Sequence, residues 1–167
     1  MAGQNVTSSL EELVAALREA CTAFYGRRLV SLAIFGSVGR GTARADSDID
    51  VLVVADPLPP GRLARVREFA AVESALAPGL ARVRASGLTP EWSPVFKTPA
   101  EVDAGSILFL DMIDDARLLV DRDGFLRAAL DRFARRLSAL GARRIWRGSA
   151  WYWDLKPDYR PGEVFEL

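Results

Sequence analysis

Gly36-Ser37-Val38-Gly39-Arg40-Gly41-Thr42-Ala43-Arg44-Ala45-Asp46-Ser47-Asp48-Ile49-Asp50 is the stretch on which the reading of this chain turns. It is entered from the apolar run Leu29–Phe35 and leaves into the valine-rich run Ile49–Ala55, each of strand length. Side chains alternate along a strand, so Asp48 and Asp50 point to one face and Ile49 to the other. Leu52 and Val54 continue the carboxylate face, which places the two charges where the sheet leaves its core. Like charges at that spacing repel, and burying ionised carboxylates is costly. The pair therefore requires cations or arginine partners, and a divalent cation is the economical answer. Magnesium takes oxygen ligands, keeps waters and is commonly held by one or two carboxylates plus substrate phosphates. Two such ions about 3.5–4 Å apart clamp the attacking and leaving oxygens of a phosphoryl displacement. Asp48 and Asp50 are therefore the candidate metal ligands and catalytic carboxylates, with two Mg2+ as the expected ions and Mn2+ as their substitute.

Gly36 and Ser37 stand at a strand end, where a residue without a Cβ lets a phosphate approach the backbone and the next hydroxyl and N–H donate to it. A short helix after Ser37 would add its dipole. Gly39 and Gly41 allow a tight return, and Arg40 and Arg44 offer charge to phosphate or to water. Gly36, Ser37, Arg40 and Ser47 form the expected nucleotide-binding set. The glycines read GxxGxG, which is not a dinucleotide fingerprint, and no GK followed by Ser or Thr makes a Walker loop.

Outward from this stretch, Ser8 with Glu11 and Ser9 with Glu12 read as overlapping capping boxes opening a helix to about Tyr25. Leu10, Leu13, Val14, Leu17, Cys21 and Phe24 form its apolar stripe, which makes Cys21 a core residue. A turn at Asp56–Gly61 precedes a second helix, expected to stop at Pro78-Gly79. Trp92–Lys97 contains Pro94 and reads as an edge strand. A helix from Pro99 through Asp115, a strand over Ala116–Val120, a turn at Asp121–Gly124 and a helix with Leu126, Leu130, Phe133, Leu137 and Leu140 on one face complete the order. Arg147-Gly148-Ser149 reads as a hairpin turn. Strands interleaved with helices predict an α/β sandwich with helices on a sheet. Residues 1–125 form the expected core, with 126–167 as a C-terminal helix and aromatic tail packed on it.

Composition narrows the chemistry. The 167 residues suit one domain, and half of them are apolar. Twenty-two basic and 22 acidic side chains cancel, so no global field draws the chain to nucleic acid or an anionic membrane. The absence of histidine removes Ser-His-Asp and Cys-His catalysis and histidine metal sites. One cysteine permits no internal disulfide, the start lacks the order of a signal peptide, and no apolar run approaches a membrane span. A cytoplasmic protein without a membrane is expected. Trp146, Trp151, Tyr152 and Trp153 lie among Arg143, Arg144, Arg147 and Lys156; they read first as tail packing and second as a surface for RNA or nucleotide.

Gly36-Ser37, ten residues, then Asp48-Ile49-Asp50 leading into an apolar strand resembles the signature of the polymerase-β-like nucleotidyltransferases, especially their small minimal members. Ser93–Pro99, Leu110–Met112, Asp121–Gly124 and Trp151–Asp158 are similar to segments of small prokaryotic members. The resemblance implies a small mixed β-sheet flanked by helices, in a nucleotidyltransferase-like fold. It implies transfer of a nucleoside monophosphate from a nucleoside triphosphate to a protein, RNA or small-molecule acceptor. It also implies a third carboxylate on a later strand, for which Glu91 is the best-placed acid and Asp103 and Asp111, in an expected helix, are weaker. Minimal members further suggest an antitoxin that modifies a HEPN-type toxin. A noncatalytic nucleotide-binding module is the remaining alternative.

Overall fold

A computed structural model describes residues 2–148 and 150–165. Helix α1 (Ala2–Tyr25) leads into strand β1 (Leu29–Phe35), a one-turn helix α2 (Gly36–Gly39) and strand β2 (Ile49–Ala55). Helix α3 (Arg62–Ala85), edge strand β3 (Trp92–Lys97), helix α4 (Pro99–Asp103), strand β4 (Arg117–Asp121) and helix α5 (Phe125–Ala139) follow, and a hairpin of β5 (Arg143–Arg147) and β6 (Ala150–Asp154) closes the chain. The four-stranded sheet runs β3-β2-β1-β4 and is mixed, β2 pairing parallel with β3 and antiparallel with β1.

β1 and β2 are central, so both faces of each are buried and they read as near-continuous apolar runs. Alternation divides their side chains between two cores. Leu32, Ile34, Ile49, Val51 and Val53 pack under α1 and α3 with Leu13, Leu17, Phe69 and Leu76. Ala33, Phe35, Leu52 and Val54 pack on the other side with Phe109, Leu126, Leu130 and Phe133, and Trp153 and Leu155 of the tail join them. Edge-to-face ring pairs, Phe69 with Phe96 at 5.3 Å and Phe109 with Phe133 at 5.7 Å, sit in the two layers. No helix among the described residues is long and apolar enough to cross a membrane.

Three local expectations are corrected. α1 begins at Ala2, so Ser8 and Ser9 lie inside a helix rather than capping it, and Glu11 instead pairs with Arg117 of β4, Oε2 to Nη2 at 2.8 Å. α3 runs through Pro78 to Ala85 because Leu76 and Val83 bury on either side, which outweighs the one hydrogen bond a proline removes. Gly79 there faces Leu13 of α1, and a Cβ on it would stand 3.4 Å from Leu13 Cδ2. The expected helix over residues 99–115 is two pieces. Thr98 and Glu101 form a capping box that starts α4, the chain leaves it through Gly105 at φ +85°, and a 3-10 turn over Ile107–Asp111 follows.

Asp121 ties the last strand of the sheet to the last helix. Its Oδ1 accepts from the wholly buried Ser31 hydroxyl at 2.8 Å and from the Leu126 N–H at 2.8 Å, and its Oδ2 accepts from the Arg127 N–H at 3.1 Å. α5 ends on Gly141 at φ +69°, where the Ala142 and Gly141 N–H groups bond back to Leu137 and Ser138. Arg147 pairs with Ala150 across the hairpin and Gly148 lies in a turn; Ser149, the rest of the expected turn, lies outside the described residues.

Candidate active site

Antiparallel pairing sets Phe35 opposite Asp50, so the first residue past β1, Gly36, falls beside the Asp50 carboxylate. A Cβ on Gly36 would lie 2.1 Å from Asp50 Oδ2, and Gly36 itself has φ +65°. Only glycine meets both conditions without strain. The chain then makes one turn, with the Arg40 N–H donating to Gly36 O at 3.1 Å and the Thr42 N–H to Ser37 O at 2.9 Å. Gly39 is tight as well, since a Cβ there would stand 2.6 Å from the Asp115 carbonyl oxygen.

The stretch entering β2 is set by Ser47. Its hydroxyl accepts from the Arg44 N–H at 2.8 Å and its own N–H donates to Arg44 O at 3.2 Å, closing a turn ahead of Asp48. The Arg44 side chain is solvated beside Asp46 at 3.6 Å. Asp48 is exposed, Ile49 is buried in the α1–α3 core, and Asp50 is half-buried on the side of Leu52 and Val54. Asp50 is thus anchored between the sheet and Gly36 while Asp48 stands at the open margin.

Asp50 keeps its proton to higher pH than an ordinary aspartate, first because burial penalises its charge and then because Asp48 and Asp111 repel it. A hydrogen bond from Ser93 and the Arg40 charge act the other way. Ser93 is the residue that the parallel register sets beside Asp50 on β3. Asp111 is likewise raised, by burial and then by Asp115, against Arg40 and Arg144. Among the described residues no three His, Cys, Asp or Glu side chains converge into a metal cage. The half-buried Asp50, whose charge is disfavoured, with the exposed Asp48 two residues away at an open margin, fits instead a hard cation that shares its remaining positions with water and phosphate oxygens.

The strand register sets the backbone of Glu91 level with Asp48, but its side chain turns toward α3. Its carboxylate is exposed and lies 3.9 Å from Arg84 of α3, while its backbone carbonyl takes the Ile49 N–H. Asp103 is engaged with Arg132 of α5 at 2.6 Å. Besides Asp48, the acid whose charge is felt at Asp50 is Asp111, which ranks low in the sequence because its surroundings there read as an unbroken helix. Ser93 lies in a segment that carries the resemblance, but its place beside Asp50 depends on strand register, and Asp115 carries no sequence signal, its position depending on the segment before β4. Arg40 reaches Asp115 at 3.4 Å, and its charge is felt at both Asp50 and Asp111.

The tail both packs and projects. Trp153 and Leu155 join the α5-side core, whereas Trp146 and Tyr152 are largely exposed. Cys21 is sealed in the other core, where burial pushes its thiol up to about 12 and leaves it unreactive.

Similarity to known proteins identifies the family. Residues 14–84 match the nucleotidyltransferase domain family. A protein of Methanocaldococcus jannaschii named "Putative protein adenylyltransferase MJ1305" is 31% identical over 114 residues, covering 67% of this chain and 72% of its own. Among solved structures, a toxin-antitoxin with AMP-PNP aligns over 81% of this chain and 92% of its own at 16% identity and a TM-score of 0.45. The toxin-antitoxin MntA-HepT aligns over 80% and 91% at 15% identity and a TM-score of 0.42. The sequence relative, the matched domain and the mixed sheet carrying Gly36-Ser37 and Asp48-Ile49-Asp50 agree, and the chain belongs to the polymerase-β-like nucleotidyltransferases as a minimal nucleotidyltransferase enzyme.

Proposed function

We propose that this enzyme transfers a nucleoside monophosphate, adenylate first among them, from a nucleoside triphosphate to a hydroxyl group on a protein. The carrying observation is the contact that seats Asp50 against Gly36, one residue from the Ser37 turn and on the same margin as Asp48. The protein acceptor and the adenylate are supported by the name of the 31% identical relative. Resemblance to minimal members makes a HEPN-type toxin the first candidate partner. The single buried cysteine supports a cytoplasmic setting.

Asp48 and Asp50 supply oxygens to the cation, and Gly36, Ser37 and Arg40 receive the triphosphate. When bound, Mg2+, or Mn2+ in its place, neutralises charge on the phosphates and lowers the cost of bringing an anionic acceptor oxygen to them. The acceptor oxygen forms a bond to the α-phosphorus as the bond to the pyrophosphate oxygen breaks. The hydroxyl proton passes to a carboxylate, and Asp111 takes that part where the resemblance pointed to Glu91, because Asp111 lies within electrostatic reach of Asp50 and holds a proton more readily than an ordinary aspartate. Ser47 keeps Asp48 on the approach to the strand.

The test incubates the protein with Mg-ATP and a small helical HEPN-type ribonuclease, then RNA and small hydroxyl acceptors, and reads by mass spectrometry which gains AMP. Transfer that persists in both Asp48→Asn and Asp50→Asn would refute the reading. Transfer to RNA alone would replace the protein acceptor.

A further inference from the structure

Asp115 joins two arginines that lie more than a hundred residues apart in sequence. Its Oδ2 accepts from Arg40 Nη1 at 3.4 Å and from Arg144 Nη2 at 2.9 Å. Arg144 also reaches Asp114 Oδ2 at 3.5 Å, and its guanidinium carbon stands 4.1 Å from the centre of the Trp151 ring and 5.0 Å from that of Trp146. Asp115 and Arg144 are 15% and 14% exposed, so this pair is drawn out of water and its geometry is firm. Two guanidiniums share one oxygen, and the short contact belongs to Arg144. Arg40 is left with a long contact and most of its five donors uncommitted.

The backbone makes the same connection. The one-turn helix that carries Arg40 rests on residue 115, since Gly39 has no room for a Cβ against the Asp115 carbonyl oxygen. Side chain and main chain of Asp115 therefore fix the turn and its guanidinium together. Arg144 reaches Asp115 from β5, and the rings that hold Arg144 are on β5 and β6.

We propose that Asp115 is a positioning residue for the triphosphate, holding Arg40 ready beside Gly36 and Ser37, and that Arg144, stacked on Trp146 and Trp151, fixes Asp115 in turn. The inference rests on the triphosphate reading above and extends it, making the C-terminal hairpin part of the nucleotide site without touching the nucleotide. It carries a distinctive sign. Removing a negative charge near a phosphate site strengthens anion binding by Coulomb's law alone, whereas loss of a positioning contact weakens it.

The experiment titrates Mg-ATP calorimetrically into the parent chain, Asp115→Asn, Arg40→Gln and the double variant, with thermal melts to confirm folding. Asp115→Asn is expected to weaken ATP binding about tenfold, a size fitting one lost charge-assisted hydrogen bond. In the Arg40→Gln background the same change should add less than about twofold, because partners in one network are not additive. Equal or tighter binding by Asp115→Asn, or losses that multiply in the double variant, overturns the proposal. Should Asp115→Asn not fold, Arg144→Lys is read instead. It keeps the charge but not the fork or the stacking, so severalfold weaker ATP binding supports the proposal and unchanged binding overturns it. A parent chain that binds no triphosphate defeats the functional reading itself, while binding indifferent to Asp115 and Arg144 defeats only this inference.

Discussion

Gly36 and Asp50 occupy each other's space: a Cβ on residue 36 would stand 2.1 Å from Asp50 Oδ2. Gly36→Ala must therefore displace the carboxylate or the turn, and it does so at φ +65°. Transfer is expected to fall at least about a hundredfold, the scale of a misplaced reacting group. Gly41→Ala is the control. Its φ is +72° but nothing lies within 4 Å of its added Cβ. It should cost about 1–2 kcal/mol of stability from the left-handed backbone alone and leave turnover per folded molecule within about twofold, measured by thermal melts beside a transfer assay.

Asp50 also sets a stability prediction. Its folded-state value lies above the ordinary 3.8, so ionisation opposes folding, and the metal-free protein loses stability as pH rises through that range. Asp50→Asn should melt higher than the parent in EDTA at pH 7, and the difference should vanish when both are measured well below pH 4. Mg2+ should raise the melting temperature of the parent and not of the variant. A variant that melts lower than the parent in EDTA contradicts the electrostatic account.

For proton transfer, Asp111→Asn and Glu91→Gln separate the two acids. Asp111→Asn is expected to lower the rate of the chemical step about a hundred- to ten-thousandfold, the usual range for a general base. Glu91→Gln should change it less than about twofold, its carboxylate being exposed beside Arg84. Single-turnover kinetics at saturating ATP reads the step directly, and the reverse ranking would restore Glu91.

Glu101 holds the edge of the sheet rather than the chemistry. Arg65 donates to both its oxygens at 2.7 and 3.0 Å while also reaching Pro59 O and Phe96 O. The Arg65 hydrogen bonds, aided by the Thr98 N–H, pull its carboxyl from 4.5 to about 2. The ionised form favours the fold, so this contribution is whole above about pH 4.5 and is lost as pH falls through about 2. Glu101→Gln should lower the melting temperature at pH 7, by an amount that shrinks steadily below pH 4.5.

Asp121→Ala should be the costlier change. It leaves the Ser31 hydroxyl buried without a partner and uncaps two N–H groups of α5, together about 2–4 kcal/mol. Chemical denaturation measures it; a loss under about 1 kcal/mol would mean that water replaces the carboxylate.

Elements with a strong period are legible in the residues alone. β1 and β2 are apolar runs punctuated by glycine and acid, α5 repeats leucine on one face, and Pro94 marks an edge strand, so their places follow from composition and spacing. The loop chemistry is legible too, because paired acids two residues apart share a face whatever the sheet does elsewhere. What escapes such a reading depends on contacts between distant segments. No local pattern shows that Pro78 is carried inside a helix by burial on either side, that Gly105 divides a helix, or that Ser93 falls beside Asp50 by register. The capping boxes at Ser8 and Ser9 are sound local chemistry, overridden by a helix that begins six residues earlier.

The two cores separated by the sheet confer an asymmetric tolerance on this chain. Every acid implicated in the reaction lies at or beyond the α5 side, whereas Leu13, Leu17, Ile34 and Phe69 fill the other compartment. Away from Val38 and Ile49, volume-conserving exchanges in that second compartment alter endurance to heat while sparing the reaction. A lineage, or an engineer, is thus free to rewrite much of the larger of the two cores as ballast and keep the working one intact.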